Sequence, residues 1–114
     1  MNRRDREAWL DCFADDARQE DPVGTPPNVG REGIGRFFDA IVELPFTVEV
    51  TGDPIVVGDE VMAFLEAVTE ADGHKARVRI VDHIVLSADG TRFQSMRAFF
   101  NPDDFVPEDG AGEG

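Results

Sequence analysis

Apolar positions along the chain change their spacing near Pro45. Ahead of it they recur at helical intervals. Ile34, Phe37, Phe38, Ile41 and Val42 follow an i, i+3, i+4, i+7, i+8 pattern, and Pro45 lies just beyond, so a helix is predicted here. Residues 5–14, "DREAWLDCFA", predict an earlier helix with Asp5 as N-cap and Ala8, Trp9, Cys12 and Phe13 on one face. A short extended piece, Arg18–Asp21, and a Pro/Gly-rich loop from Pro22 to Gly30 separate the two. Past Pro45 the period falls to two. "FTVEVTG", "EVMAFLEAVTEA", "HKARVRIVDHIVL" and "TRFQSMRAFF" predict four substantial strands, divided by turn signals at Gly52-Asp53-Pro54, Asp72-Gly73 and Asp89-Gly90. "PIVV" adds a short edge piece. Helices first and hairpin-linked strands afterwards predict an α+β fold with an antiparallel sheet curled around the helices.

The alternation exposes a chemical anomaly. On the third long strand Ala76, Val78, Ile80, Asp82, Ile84 and Leu86 share one face, and Lys75, Arg77, Arg79, Val81, His83 and Val85 take the other. Asp82 is thus the single charged group on an apolar stripe. If that face points inward, ionising Asp82 costs desolvation energy with no cation on the same face. It is then either a buried Asp satisfied by backbone or water, or a carboxyl that stays protonated and donates a hydrogen bond. Asp21, in "EDPVGTPP", allows two readings as well. Asp before Pro is a common turn former. Alternatively it is an ionised base at the rim of an apolar cavity, paired with a neutral Asp82.

Composition narrows the field. The 114 residues suffice for one domain, and 41% apolar residues with nine Phe indicate a globular chain. No apolar run approaches the ~18 residues of a membrane span, and "MNRRDREAW" lacks the apolar core of a secretory signal. One cysteine, Cys12, excludes an internal disulfide and fits a reducing cytoplasm, so a cytoplasmic location is expected. A net charge of −13 opposes binding to nucleic-acid phosphates or anionic membranes. His74 and His83 have no second ligand at metal spacing, so no metal is expected. Cys12 reads as core, the glycines of "GREGIG" as turn and helix-packing residues, and Arg77 and Arg79 as a solvated face or an interface. Ser95 lacks the His and Asp company of a nucleophile. Met96, Ala98 and Phe100 form one face of the last strand, core by default and cavity wall if a hydrophobic ligand binds. Residues 1–101 are read as the domain, and the acidic, Gly-rich residues 102–114 as a disordered tail.

"FADDARQEDPVGTPPNVGREGIGRFFDAI" followed by "LP", with "VDHIVLSADGTRFQSMRAFF" further on, closely resembles the bacterial ketosteroid isomerases, members of the nuclear transport factor 2-like, SnoaL-like superfamily. The likeness runs from about Asp5 to Phe100. It implies a cone-like apolar pocket between sheet and helices. It implies that Asp21 is the general base moving a proton from C4 to C6 of a 3-oxo steroid, and that Asp82 is the protonated acid hydrogen-bonding the dienolate oxygen. It further implies a substrate site with Phe38, Phe64, Met96, Ala98 and Phe100, no cofactor, a small hydrophobic, steroid-like substrate and a homodimer. The chain departs from the family in two respects. Relatives carry a further helix ahead of "DREAW" whose Tyr donates the main oxyanion hydrogen bond; here Met1 stands where that helix would end, and the sequence holds no Tyr. Phe38 occupies the place of another hydrogen-bonding Tyr of many relatives. Loss of one oxyanion donor costs about 10²–10³ in turnover. Either the recorded start lies downstream of the true one and a longer protein is the active enzyme, or the chain as written is a weakened Δ5-3-ketosteroid isomerase, with a non-catalytic binder of a steroid- or polyketide-like ligand as the alternative. A cyclase or dehydratase of the same superfamily ranks lower, because such enzymes often place a His in the pocket and neither His here faces inward.

Overall fold

The two spacings become two layers in the computed structural model, which describes residues 5–107. In chain order these are α1 (Arg6–Leu10), β1 (Phe13–Glu20), β2 (Asn28–Val29), α2 (Gly30–Ile41), β3 (Phe46–Val50), β4 (Ile55–Val57), β5 (Glu60–Ala71), β6 (His74–Leu86), β7 (Phe93–Phe99), a 3₁₀ turn (Pro102–Asp104) and β8 (Val106–Pro107). The strands form one sheet in the order β2-β1-β7-β6-β5-β3, with β4 added to β5 and β8 to β6.

The wall of the molecule is the β5–β6 hairpin. Its strands stay in register from Ala71↔His74 to Glu60↔Val85. The turn is Asp72-Gly73, with φ of 53° and 78°, the left-handed pair that a two-residue hairpin loop requires. β7 continues the sheet beside the second half of β6, from Val81↔Phe99 to Leu86↔Phe93. The strands after Pro45 thus form where the period-two pattern places them, including the short β4 from "PIVV".

Four expectations change. The sheet is not wholly antiparallel: β1 runs parallel to β7, with Gln19↔Met96 and Glu20↔Arg97 opposite each other. Local alternation carries no information about strand direction, and the connection from β1 to β7 spans most of the chain. The first helix is only Arg6–Leu10, with no side-chain cap from Asp5. Tertiary pairing ends it early: the N–H of Phe93 donates to the Cys12 carbonyl, 2.6 Å, and draws the chain into the sheet. Phe13 accordingly starts β1, fully buried, while Ala8 is exposed. Cys12 is exposed rather than core. Finally, residues 102–107 of the expected tail are folded as the 3₁₀ turn and β8, which pairs Val106 with Arg77. Residues 108–114, the rest of that tail, and residues 1–4 lie outside the described part.

The helices close one side of the sheet. Arg31 caps the short α1 by donating from Nη1 to the Leu10 carbonyl at 3.0 Å and from Nη2 to Asp11 at 3.3 Å, meeting carbonyls a helix end leaves unpaired. Arg6 ties α1 to α2 through a two-pronged contact with Asp39, 2.8 and 3.2 Å. Gly35 leaves room for the Arg6 guanidinium in this position: a Cβ there would lie 2.5 Å from Arg6 Nη2. Ile34 packs into a cluster with Leu10, Phe13 and Ala17. Fully burying such a side chain is worth about 1.5–3 kcal/mol. A second cluster, Ala67, Val78, Ile80 and Ala98, lies on the sheet, with Phe46, Leu65, Phe100 and Phe105 against it.

Candidate active site

Asp21 follows directly on the last residue of β1. The parallel pairing sets Glu20 opposite Arg97, and Arg97 Nε donates to Glu20 Oε1 at 2.8 Å. One step on, the Val23 N–H donates to the Ala98 carbonyl, 2.8 Å, hooking the loop onto β7. The loop then closes on itself, since the Thr25 hydroxyl donates to the Pro22 carbonyl at 2.8 Å. Ala98 in turn stands directly opposite Asp82 on β6. One residue therefore places both carboxyls: its backbone oxygen holds the Asp21 loop, and its strand position flanks Asp82.

Asp82 has an alanine on each side, Ala63 on β5 and Ala98 on β7. Directly opposed residues stand about 5 Å apart on the same sheet face, so these neighbours contribute neither charge nor hydrogen bond. Asp82 is 7% exposed. Its Oδ1 is fully buried and has no hydrogen-bond partner among the described residues. Burial, reinforced by the negative charge of Asp21, raises the Asp82 pKa to about 7. Burial alone raises Asp21 to about 6. Two carboxyls in one apolar site resist ionising together, and a negative charge on Asp21 favours the proton on Asp82.

Both carboxyls open into an apolar cavity of about 660 Å³, within the usual size of small-molecule sites. Met96 and Ala98 line it from β7, and Phe100 from just beyond the end of that strand. Two residues expected there do not. Phe38 is 1% exposed and packs behind the wall, its ring 5.2 Å from that of Trp9; its neighbour Phe37 lines the cavity instead. Phe64 points to the other face of β5, because Leu65, Ala67 and Thr69 are the cavity-lining residues of that strand and successive side chains alternate. The residues 60, 62, 64, 66, 68 and 70 share a face that includes three Glu, a signal already present in the sequence. Trp9 and Phe105 also line the cavity, both unanticipated. Phe105, a lone aromatic among acidic residues, was the available sign.

Among the described residues the lining contains no Lys, Arg or His. His83 is on the opposite face of β6 from Asp82, 2.8 Å from Glu60 Oε1. Among the described residues no three His, Cys, Asp or Glu side chains converge as a metal site. A larger groove, about 870 Å³, lies between β6, β7 and the C-terminal turn. It lacks a carboxyl pair facing apolar walls, and Arg77 on its wall is already paired with Glu66 at 2.8 Å and Glu49 at 3.2 Å. Volume alone does not identify the site.

A curved α+β sheet with a helix across it, enclosing an apolar cavity with carboxyls in its wall, defines a class. The chain belongs to the SnoaL-like domain family, whose sequence profile matches residues 1–96. Within that class it is 34% identical over 94 residues to a steroid Delta-isomerase from Nocardioides simplex, covering 82% of this chain and 75% of that protein. The fold is similar to RV0760c from Mycobacterium tuberculosis, with a TM-score of 0.77 and 29% identity over 94% of this chain and 86% of the other. It is also similar to SalBIII, an epoxide hydrolase/cyclase-like enzyme with a role in pyran ring formation in the polyether salinomycin. There the TM-score is 0.76 at 27% identity, covering 89% of this chain and 81% of that one. No helix among the described residues is long and apolar enough to cross a membrane.

Proposed function

We propose that the protein is a cofactor-free isomerase that moves a double bond in a 3-oxo-Δ5 steroid or similar hydrophobic enone by intramolecular proton transfer. Asp21, ionised, takes a proton from the carbon between the carbonyl and the double bond and returns it at the far end of the conjugated system. Asp82, protonated, donates a hydrogen bond to the ketone oxygen as it gains negative charge in the dienolate. The observation that carries this reading is a buried, unpartnered Asp82 carboxyl sharing one apolar cavity with a second carboxyl of lower pKa. The likeness to a steroid Delta-isomerase supports it. A cavity with no cationic side chain among its described lining residues suits a neutral, hydrophobic substrate.

The test is conversion of a Δ5-3-ketosteroid to its Δ4 isomer, followed by the ultraviolet absorbance of the conjugated enone. Asp21→Asn is expected to lower turnover by about 10²–10⁴, the usual worth of a general base. Undiminished conversion by this variant sinks the assignment.

A second reading, a binder of a steroid- or polyketide-like ligand without chemistry, is favoured by one observation. Among the described residues Asp82 Oδ1 meets no hydrogen-bond donor, and Phe38, where the family resemblance implies a Tyr, is packed out of the cavity. Tight binding of a phenolic steroid without isomerisation at high protein concentration would establish that reading.

A further inference from the structure

We propose that the cavity takes an elongated ligand with an oxygen at each pole, and that the hydroxyl of Thr69 receives the second oxygen. This deepens the reading above and rests on it. Thr69 lines the same cavity as Asp82. Apart from the two carboxyls and the indole N–H of Trp9, it is the one hydrogen-bonding side chain among the described lining residues. Trp9 belongs to the carboxyl side: its ring meets Phe13, in the cluster against which Met96 also packs. Thr69 is at the other end of the wall. Asp82 stands opposite Ala63, whereas Thr69 stands opposite Ala76. Six residues of β5 separate the two levels, about 20 Å along the strand.

The surroundings of Thr69 are those of a recognition point. Phe46 is its partner on β3, and Phe105 reaches into the same cavity from the C-terminal segment, whose Val106–Pro107 strand pairs at Ala76 and Arg77. The hydroxyl is held only by a 3.4 Å contact to the Ala76 carbonyl, beyond the ordinary range of hydroxyl hydrogen bonds. It gives up little in turning towards a ligand. The described lining holds no Lys, Arg or His, which suits a neutral ketone or hydroxyl as the partner. The separation exceeds the distance between the poles of a bare four-ring nucleus, so the ligand is a ring system extended by a short oxygenated chain.

Trp9 is the sole tryptophan in a chain without tyrosine, so intrinsic fluorescence reports on the cavity wall. The experiment titrates the protein with two 3-oxo-Δ4 steroids, one with a ketone in a two-carbon side chain and one with that ketone reduced to methylene. Wild type is expected to bind the ketone about 5-fold more tightly, in the range of one neutral hydrogen bond. Thr69→Val, equal in shape, should erase the preference without changing affinity for the methylene ligand, and Thr69→Ser should restore it. Equal affinities in wild type, or a preference that survives in Thr69→Val, overturns the Thr69 assignment and leaves the carboxyl end intact, provided Asp82→Leu weakens both ligands. Failure of either ligand to alter Trp9 emission removes the underlying steroid reading as well.

Discussion

Asp21 and Asp82 must be in opposite protonation states for the proposed reaction, and their pKa values of about 6 and about 7 confine that condition to a narrow window. The rate constant kcat/KM is expected to rise as pH passes about 6 and to fall above about 7. Asp82→Asn, whose amide donates but does not titrate, should lose the alkaline limb; a limb that persists assigns it to another group. Stability has its own pH dependence. The folded pKa of Asp82 exceeds the free value of 3.8, so between about 4 and 7 the folded state binds the extra proton and stability falls as pH rises. Thermal melts should show Asp82→Asn more stable than wild type at pH 8, with the gap closing by pH 4. The burial of Asp82 was legible because it is the single charge on an apolar alternation; that pattern did not decide between a satisfied Asp and a protonated donor. Phe38 and Phe37 were not separable, since both lie on the apolar stripe of α2 and only its rotation against Trp9 decides which faces the cavity.

At the scale of elements, the C-terminal segment is part of the cavity. Phe105 packs on the cluster of Ala67, Val78, Ile80 and Ala98, while Val106 beside it is 65% exposed. Phe105→Ala is expected to destabilise the fold by about 1–3 kcal/mol, below the cost for a fully buried Phe, and to weaken ligand-induced quenching of Trp9. Val106→Ser should leave both nearly unchanged, with urea unfolding and fluorescence titration as the measurements. Strands β3 to β7 were readable because each carries its own alternation and turn chemistry. α1 and β8 were not. The first loses residues to β1 through a contact with Phe93, far along the chain, and the second is two residues whose pairing depends on β6. Neither partner is visible in a local window.

The whole molecule carries a charge of −13, most of it outside the cavity, and self-repulsion opposes compactness. Salt shortens the reach of that repulsion to about 3 Å at 1 M. The melting temperature is therefore expected to rise by several degrees between 10 mM and 500 mM sodium chloride at pH 7.5; a flat or falling response would place the burden on paired rather than repelling charges. Strand direction stayed hidden at this scale, because the parallel β1–β7 pair joins two ends of the chain. That pairing has a consequence for diversification. Since the Val23 N–H and the Asp82 strand both register on Ala98, the two acids ride on a shared plank whose spacing is set by backbone alone. The span between Thr25 and Asn28 can be lengthened or recast to suit bulkier guests while the proton-handling pair keeps its gauge.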